Sequence, residues 1–147
     1  MTFESFARTA GARLRAGLVA AYGPETGQDA AAAALAYGWE HWDRVSGLEN
    51  PAGYLFRVGQ TAARRSFRKQ GFLPVPEPDE LPSFEPGLLP ALEDLTESQR
   101  TAVVLVHGFG WSQVEVAELL DVSASTLRTH LSRGLAKLQN ALEVDRV

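Results

Sequence analysis

The residues with most chemistry to offer stand in one run, SASTLRTHLSRGLAKL, residues 123–138. Leu127, Leu131, Leu135 and Leu138, with Leu142 beyond the run, recur at helical spacing and predict a helix with one apolar stripe. The stripe leaves Ser125, Thr126, Arg128, Thr129, Ser132 and Arg133 facing outward, with His130 beside them. Hydroxyls in such a row can bond phosphate oxygens or base edges, and an arginine can meet guanine with two parallel hydrogen bonds. Ser123 caps the helix, whose free N-terminal amides favour a phosphate. This is recognition chemistry. Bond-breaking chemistry has little to start from: there is no cysteine, and His41, His107 and His130 lie far apart without metal-ligand spacing. No nucleophile or carboxylate cluster has the spacing catalysis requires, so neither an enzyme nor a metal or cofactor is expected.

A recognition helix must be held by a partner, and the sequence supplies one immediately upstream. In WSQVEVAELLDVS, Ser112 and Glu115 form a capping box that starts a short helix running to about Leu120, and Asp121-Val122-Ser123 turns the chain. Ala117 is small enough for two helices to cross closely, and Val116, Leu120 and Val122 fill the angle. A short helix, a three-residue turn and a longer helix make a helix-turn-helix, whose second helix enters the major groove of DNA. Ser, Thr and Arg line the outside of many amphipathic helices for solvation alone; the capping box, small alanine and tight turn together favour the DNA reading. Thr96 caps one further helix before them, ended by Gly108 and Gly110.

Three helices are predicted in the N-terminal part. The first covers Phe3 to Tyr22, with Phe6, Ala10, Leu14 and Leu18 on one face, and Tyr22-Gly23-Pro24 ends it. The second covers residues 28–43 and assigns Trp39 and Trp42 to the core, at helical spacing from Leu35. Asn50-Pro51 opens the third, which runs to about Lys69. It interleaves Tyr54, Phe56 and Phe67 with Arg57, Arg64, Arg65, Arg68 and Lys69, a mixture able to stack unpaired bases while following phosphates. Tyr54, Leu55, Val58 and Ala62 equally suit a core face, and RRSFRK equally suits a solvated helix end whose cations favour the dipole. With no alternating β-branched run, the fold class is all-α.

Charge and proline divide the 147 residues. Residues 1–70 hold nine Lys/Arg against six Asp/Glu, residues 71–95 none against six, and residues 96–147 five against six. Six of the eight prolines fall within residues 71–90, which predicts an extended acidic linker between a helical domain at 1–70 and a helix-turn-helix domain at 91–147. No run approaches the roughly 18 apolar residues of a membrane span, and MTFESFARTAG lacks the order of a signal peptide, so a cytoplasmic protein without membrane insertion is expected.

LEDLTESQRTAVVLVHGFGWSQVEVAELLDVSASTLRTHLSRGLAKLQNAL resembles, in order and spacing, the C-terminal helix-turn-helix region of bacterial RNA polymerase sigma factors of the extracytoplasmic-function group. GWEHWDR and NPAGYLFRV resemble that family's promoter-melting region. The resemblance implies two helical domains that bind core RNA polymerase and promoter DNA, with an anti-sigma protein as an inhibitory partner. It implies that the upstream element is read through Ser125, Thr126, Arg128, Thr129, His130, Ser132 and Arg133. The downstream element and melting would fall to Tyr54, Phe56, Arg57, Thr61, Arg64, Arg65, Arg68 and Lys69, and polymerase contact to Asp29, Ala32, Ala33 and Tyr37.

Five positions depart from it. Ala32 and Ala33 stand where the family usually has a glutamine and an acidic residue, and Thr61 and Arg65 replace its usual asparagine and aspartate in the third helix. Asp121 stands where glycine usually sits, and a left-handed backbone there costs an aspartate about 1 kcal/mol. If Arg128, Arg133 and Lys137 neutralise about three phosphates, the salt slope of DNA binding is near −2.7, too shallow for a strong stand-alone repressor but sufficient for a factor tethered to polymerase. The rival readings are a dimeric helix-turn-helix regulator, supported by the first four changed positions, and a sigma-like adaptor that acts through protein contacts alone.

Overall fold

The computed structural model describes the backbone of residues 1–70 and 88–145 and the side chains of 1–66 and 90–142. All regular structure in these residues is helical. Most of the predicted linker, residues 71–87, lies outside the described residues.

Helix α1, Phe3–Tyr22, starts where Thr2 Oγ1 accepts from the Ser5 amide at 3.2 Å and buries Phe6, Leu14 and Leu18. The predicted stop at Tyr22-Gly23-Pro24 is real but one residue wide. Gly23, at φ 89°, closes α1 and opens α2, Pro24–Glu40, earlier than the expected residue 28. Proline in the first turn gives up an amide that has no partner in any helix. The two helices then pack with almost no gap, because a Cβ on Gly27 would stand 2.4 Å from the Val19 Cα.

That closeness corrects one expectation about the core. The buried face of α2 is Thr26, Gly27, Ala30, Ala31, Ala34 and Gly38, the small residues, and not the Leu35–Trp39 line. Small side chains let α2 lie against both α1 and α4, which pushes bulkier groups to the margin. Trp39 is therefore 61% exposed, edge-on to Phe3 at 5.6 Å between centroids. Helix α2 also ends at Glu40 instead of continuing to residue 43; His41 (φ −119°, ψ 27°) breaks it, and the single turn α3, Trp42–Val45, follows. Trp42 does reach the core margin, 5.0 Å from the Phe6 ring. Helix α4, Pro51–Gln70, begins as read, with Asn50 Oδ1 accepting from the Gly53 amide at 3.0 Å.

Helix α5, Leu88–Glu93, carries Pro90 in its first turn, so helix resumes slightly before the predicted linker end at residue 90. Thr96 and Gln99 build a full capping box for α6, Glu97–Val103, which widens into a π-turn at Val104–Gly108. Gly110, at φ 75°, redirects the chain. Helix α7, Gln113–Leu120, and α8, Ala124–Asp145, complete the fold. Buried side chains from α1 to α8 form one continuous cluster, with α1 against α6 and α4 against α7 joining the two parts of the chain. No described helix is long and apolar enough to cross a membrane.

Candidate nucleic-acid interface

The helix-turn-helix forms from local signals. Ser112 Oγ accepts from the Glu115 amide at 3.1 Å while Glu115 Oε1 accepts from the Ser112 amide at 3.3 Å. The Ser112 amide bond to the carboxylate, and secondarily the Ser112 hydroxyl beside it, hold the Glu115 carboxyl below the usual carboxylate range; Arg13 adds a smaller effect in the same direction. Asp121 ends α7 in the left-handed region at φ 56°, ψ 49°. Ser123 Oγ accepts from the Thr126 amide at 3.1 Å and opens α8.

On α8, Leu127, Leu131 and Leu138 are buried, Leu135 and Leu142 partly so. Ser125, Thr126, Arg128, Thr129, Ser132 and Arg133 are all exposed, and His130 is half-buried at the edge of the row. The Thr129 hydroxyl donates to the Ser125 carbonyl at 3.1 Å, which leaves its oxygen free to accept. Thr126 Oγ1 accepts from the Ser123 hydroxyl at 2.9 Å.

The second predicted group is only partly assembled. Arg57, Thr61, Arg64 and Arg65 of α4 are exposed, whereas the side chains of Phe67, Arg68 and Lys69 lie outside the described residues. Phe56 corrects the stacking assignment. It is 1% exposed, and its ring lies 2.9 Å from where a Gly17 Cβ would stand, so it belongs to the core of the helix pair α1–α4. Tyr54 is half-buried, and its hydroxyl lies 3.3 Å from that of Tyr37, so a residue expected to meet polymerase and one expected to meet DNA share one contact. Arg44 donates to Tyr37 as well, and the His41 ring lies 4.3 Å from the Tyr37 ring. Asp29, Ala32 and Ala33 stand exposed on the outer face of α2.

Residues 88–138, from α5 through the stripe of α8, match the family described as "Sigma-70, region 4". The chain is 30% identical over 155 residues to an RNA polymerase sigma-E factor of Streptomyces avermitilis, covering 97% of this chain and 86% of that protein. It is 31% identical over 131 residues to the RNA polymerase sigma-E factor of Streptomyces antibioticus, covering 82% and 72%. The chain belongs to the RNA polymerase sigma factor family, in its extracytoplasmic-function group. The fold agrees: it aligns, at TM-score 0.62 and 23% identity over 97% of this chain and 98% of the other, with the sigma factor RpoE of Bartonella quintana, solved in complex with the anti-sigma factor NepR.

Within this sigma factor the departures have visible settings. Asp121 takes the left-handed conformation that glycine would take, and its carboxylate is bonded by Arg57 Nη2 at 2.9 Å. Thr61 donates back to the Arg57 carbonyl at 3.2 Å, a bond internal to α4. Arg64 bonds Glu97 through Nε and Nη2, at 3.2 and 3.0 Å to Oε2, and that hydrogen bond raises the arginine's pKa further.

One residue escaped the sequence reading altogether. Arg100 is 2% exposed; Nε donates to the Ala21 carbonyl at 2.7 Å, and Nη1 donates to those of Leu95 and Leu92 at 2.9 and 3.3 Å. Burial pulls its pKa down, opposed by the nearby Glu97 charge. Its acceptors lie on other elements, so no local pattern marks it.

Proposed function

We propose that this sigma factor binds core RNA polymerase, carries it to a set of promoters and helps open the duplex, with no chemistry of its own. The observation that carries the reading is the row Ser125, Arg128, Thr129, Ser132 and Arg133, exposed on a helix whose leucines are buried against the rest of a helix-turn-helix. In the major groove these residues meet base edges, and Ser123 and Thr126 at the helix start face phosphate. Arg57, Arg64 and Arg65 of α4, beside Tyr54, are suited to the separated strand. Asp29 and Tyr37, with the flat surface of Ala32 and Ala33, form the polymerase contact; the alanines bury area there without directional bonds.

The weak positive charge of α8 supports a reader that acts while held on a larger assembly, since tethering supplies the concentration that phosphate contacts do not. An anti-sigma partner is consistent with the complex in which the Bartonella neighbour was solved. Run-off transcription tests the whole reading. Purified protein with core polymerase is expected to start at promoters selected from a random library, and Arg128→Ala to reduce starts at least several-fold. Absence of any polymerase-dependent initiation overturns it.

A further inference from the structure

Helices α2 and α4 touch closely at one level, where a Cβ on Gly59 would stand 3.4 Å from the Ala30 carbonyl oxygen. Beyond it the side chains are too small to fill the gap, and a cleft of about 210 Å³ remains. Thr26, Asp29, Ala30 and Ala33 line it from α2, and Ala62 and Ser66 from α4. That volume lies below the roughly 300 Å³ at which small-molecule sites begin, so the cleft has room for one side chain. Thr26 is 7% exposed, and its hydroxyl has no hydrogen-bond partner among the described residues. Asp29 and Ser66 are exposed, and Asp29 forms no ion pair among the described residues. Arg64, on the same helix as Ser66, is turned to Glu97 instead.

We infer that this cleft takes one lysine or arginine side chain presented by core polymerase, its stem along the alanines and its cationic head held by Asp29 and the Thr26 and Ser66 hydroxyls. The inference rests on the polymerase contact proposed for this face of α2. The chemistry of the lining selects the occupant. Asp29 repels an anion, and an apolar side chain would shut the Thr26 hydroxyl in without a bond. A cation on a hydrocarbon stem satisfies both the carboxylate and the apolar walls. The cleft also depends on the alanine at position 33, because a longer side chain there would project into it or across its mouth. The directional bonds that Ala32 and Ala33 cannot make at the surface are thereby made behind them.

Equilibrium binding of the full chain to core polymerase tests this. Thr26→Val keeps the side chain's shape and removes only the hydroxyl. A partner lying flat on α2 does not reach so buried a group, whereas an inserted head group loses a bond, so affinity is expected to fall about tenfold. Ala62→Leu fills the cleft from the α4 side, and at least the same loss is expected. Asp29→Asn weakens binding too; combined with Thr26→Val, the loss is expected to be smaller than the product of the two single losses, because both residues hold one head group. Thermal melts establish that each variant is folded, and Thr26→Val decides alone where Ala62→Leu is not. Parent-like affinity of either folded variant overturns the inference and leaves the polymerase contact in place. A parent chain that does not bind core polymerase overturns the contact itself, and the inference with it, so the two failures are distinct.

Discussion

Arg100 and Arg128 show how far one side chain's role depends on where its partners lie. Arg100 is buried and holds three carbonyls from the Ala21 and Leu92–Leu95 segments; Arg128 stands in solvent on α8. Arg100→Met strands those acceptors, so a loss of about 3 kcal/mol is expected, seen as a thermal midpoint roughly 6–12 °C lower. Arg128→Ala leaves the midpoint within about 1–2 °C, because exposed substitutions seldom exceed about 0.5 kcal/mol. It should instead weaken promoter binding by about 1–3 kcal/mol if the arginine meets a guanine. Calorimetry and a binding titration on the two variants check the opposition. The exposed row was legible because five leucines fix which way α8 faces. Phe56 and Arg100 were not, since an aromatic or an arginine beside helical neighbours reads the same whether it points in or out. Only the approach of Gly17 and Ala21 from α1 decides it.

Elements whose boundaries depend on neighbours in sequence were the readable ones. The Ser112–Glu115 box, the Asn50-Pro51 start and the Asp121 turn all formed where predicted, because each is closed by bonds spanning three or four residues. The facing of α2 was misread, since its spacing offered two stripes and the larger residues looked like core; packing against α1 at Gly27 selected the alanines. The π-turn at Val104–Gly108 has no local signature in VLVHG. Ser112→Ala should cost about 1 kcal/mol, a midpoint shift of about 2–4 °C. The pH response of α7 follows from Glu115. Its folded-state pKa lies below its unfolded value, so its contribution is complete above the ordinary carboxylate range and is lost as pH falls through the depressed folded value. Circular-dichroism melts should therefore show lower stability on acidification, with a smaller pH dependence in Glu115→Gln.

At the scale of the whole molecule, the packing of the two parts joins residues as far apart in sequence as Arg13 and Glu115, separated by 102 positions. Long-range pairing of this kind leaves no trace in composition, although the regional charge counts did show a basic first part. What the sequence carried well was family membership, through runs covering both parts of the chain, and the all-α class. The same charges set the DNA affinity of the free protein: with about three phosphates neutralised, duplex binding should follow a log–log salt slope near −2.7. The central claim is that α8 reads promoter duplex effectively only when polymerase delivers it. Mobility of a labelled cognate promoter, with this protein alone and with this protein plus core polymerase, tests that most directly. Little or no shift at physiological salt for the protein alone, and a stable complex once core polymerase is added, is the predicted result; tight binding without polymerase, or no complex in its presence, would contradict it.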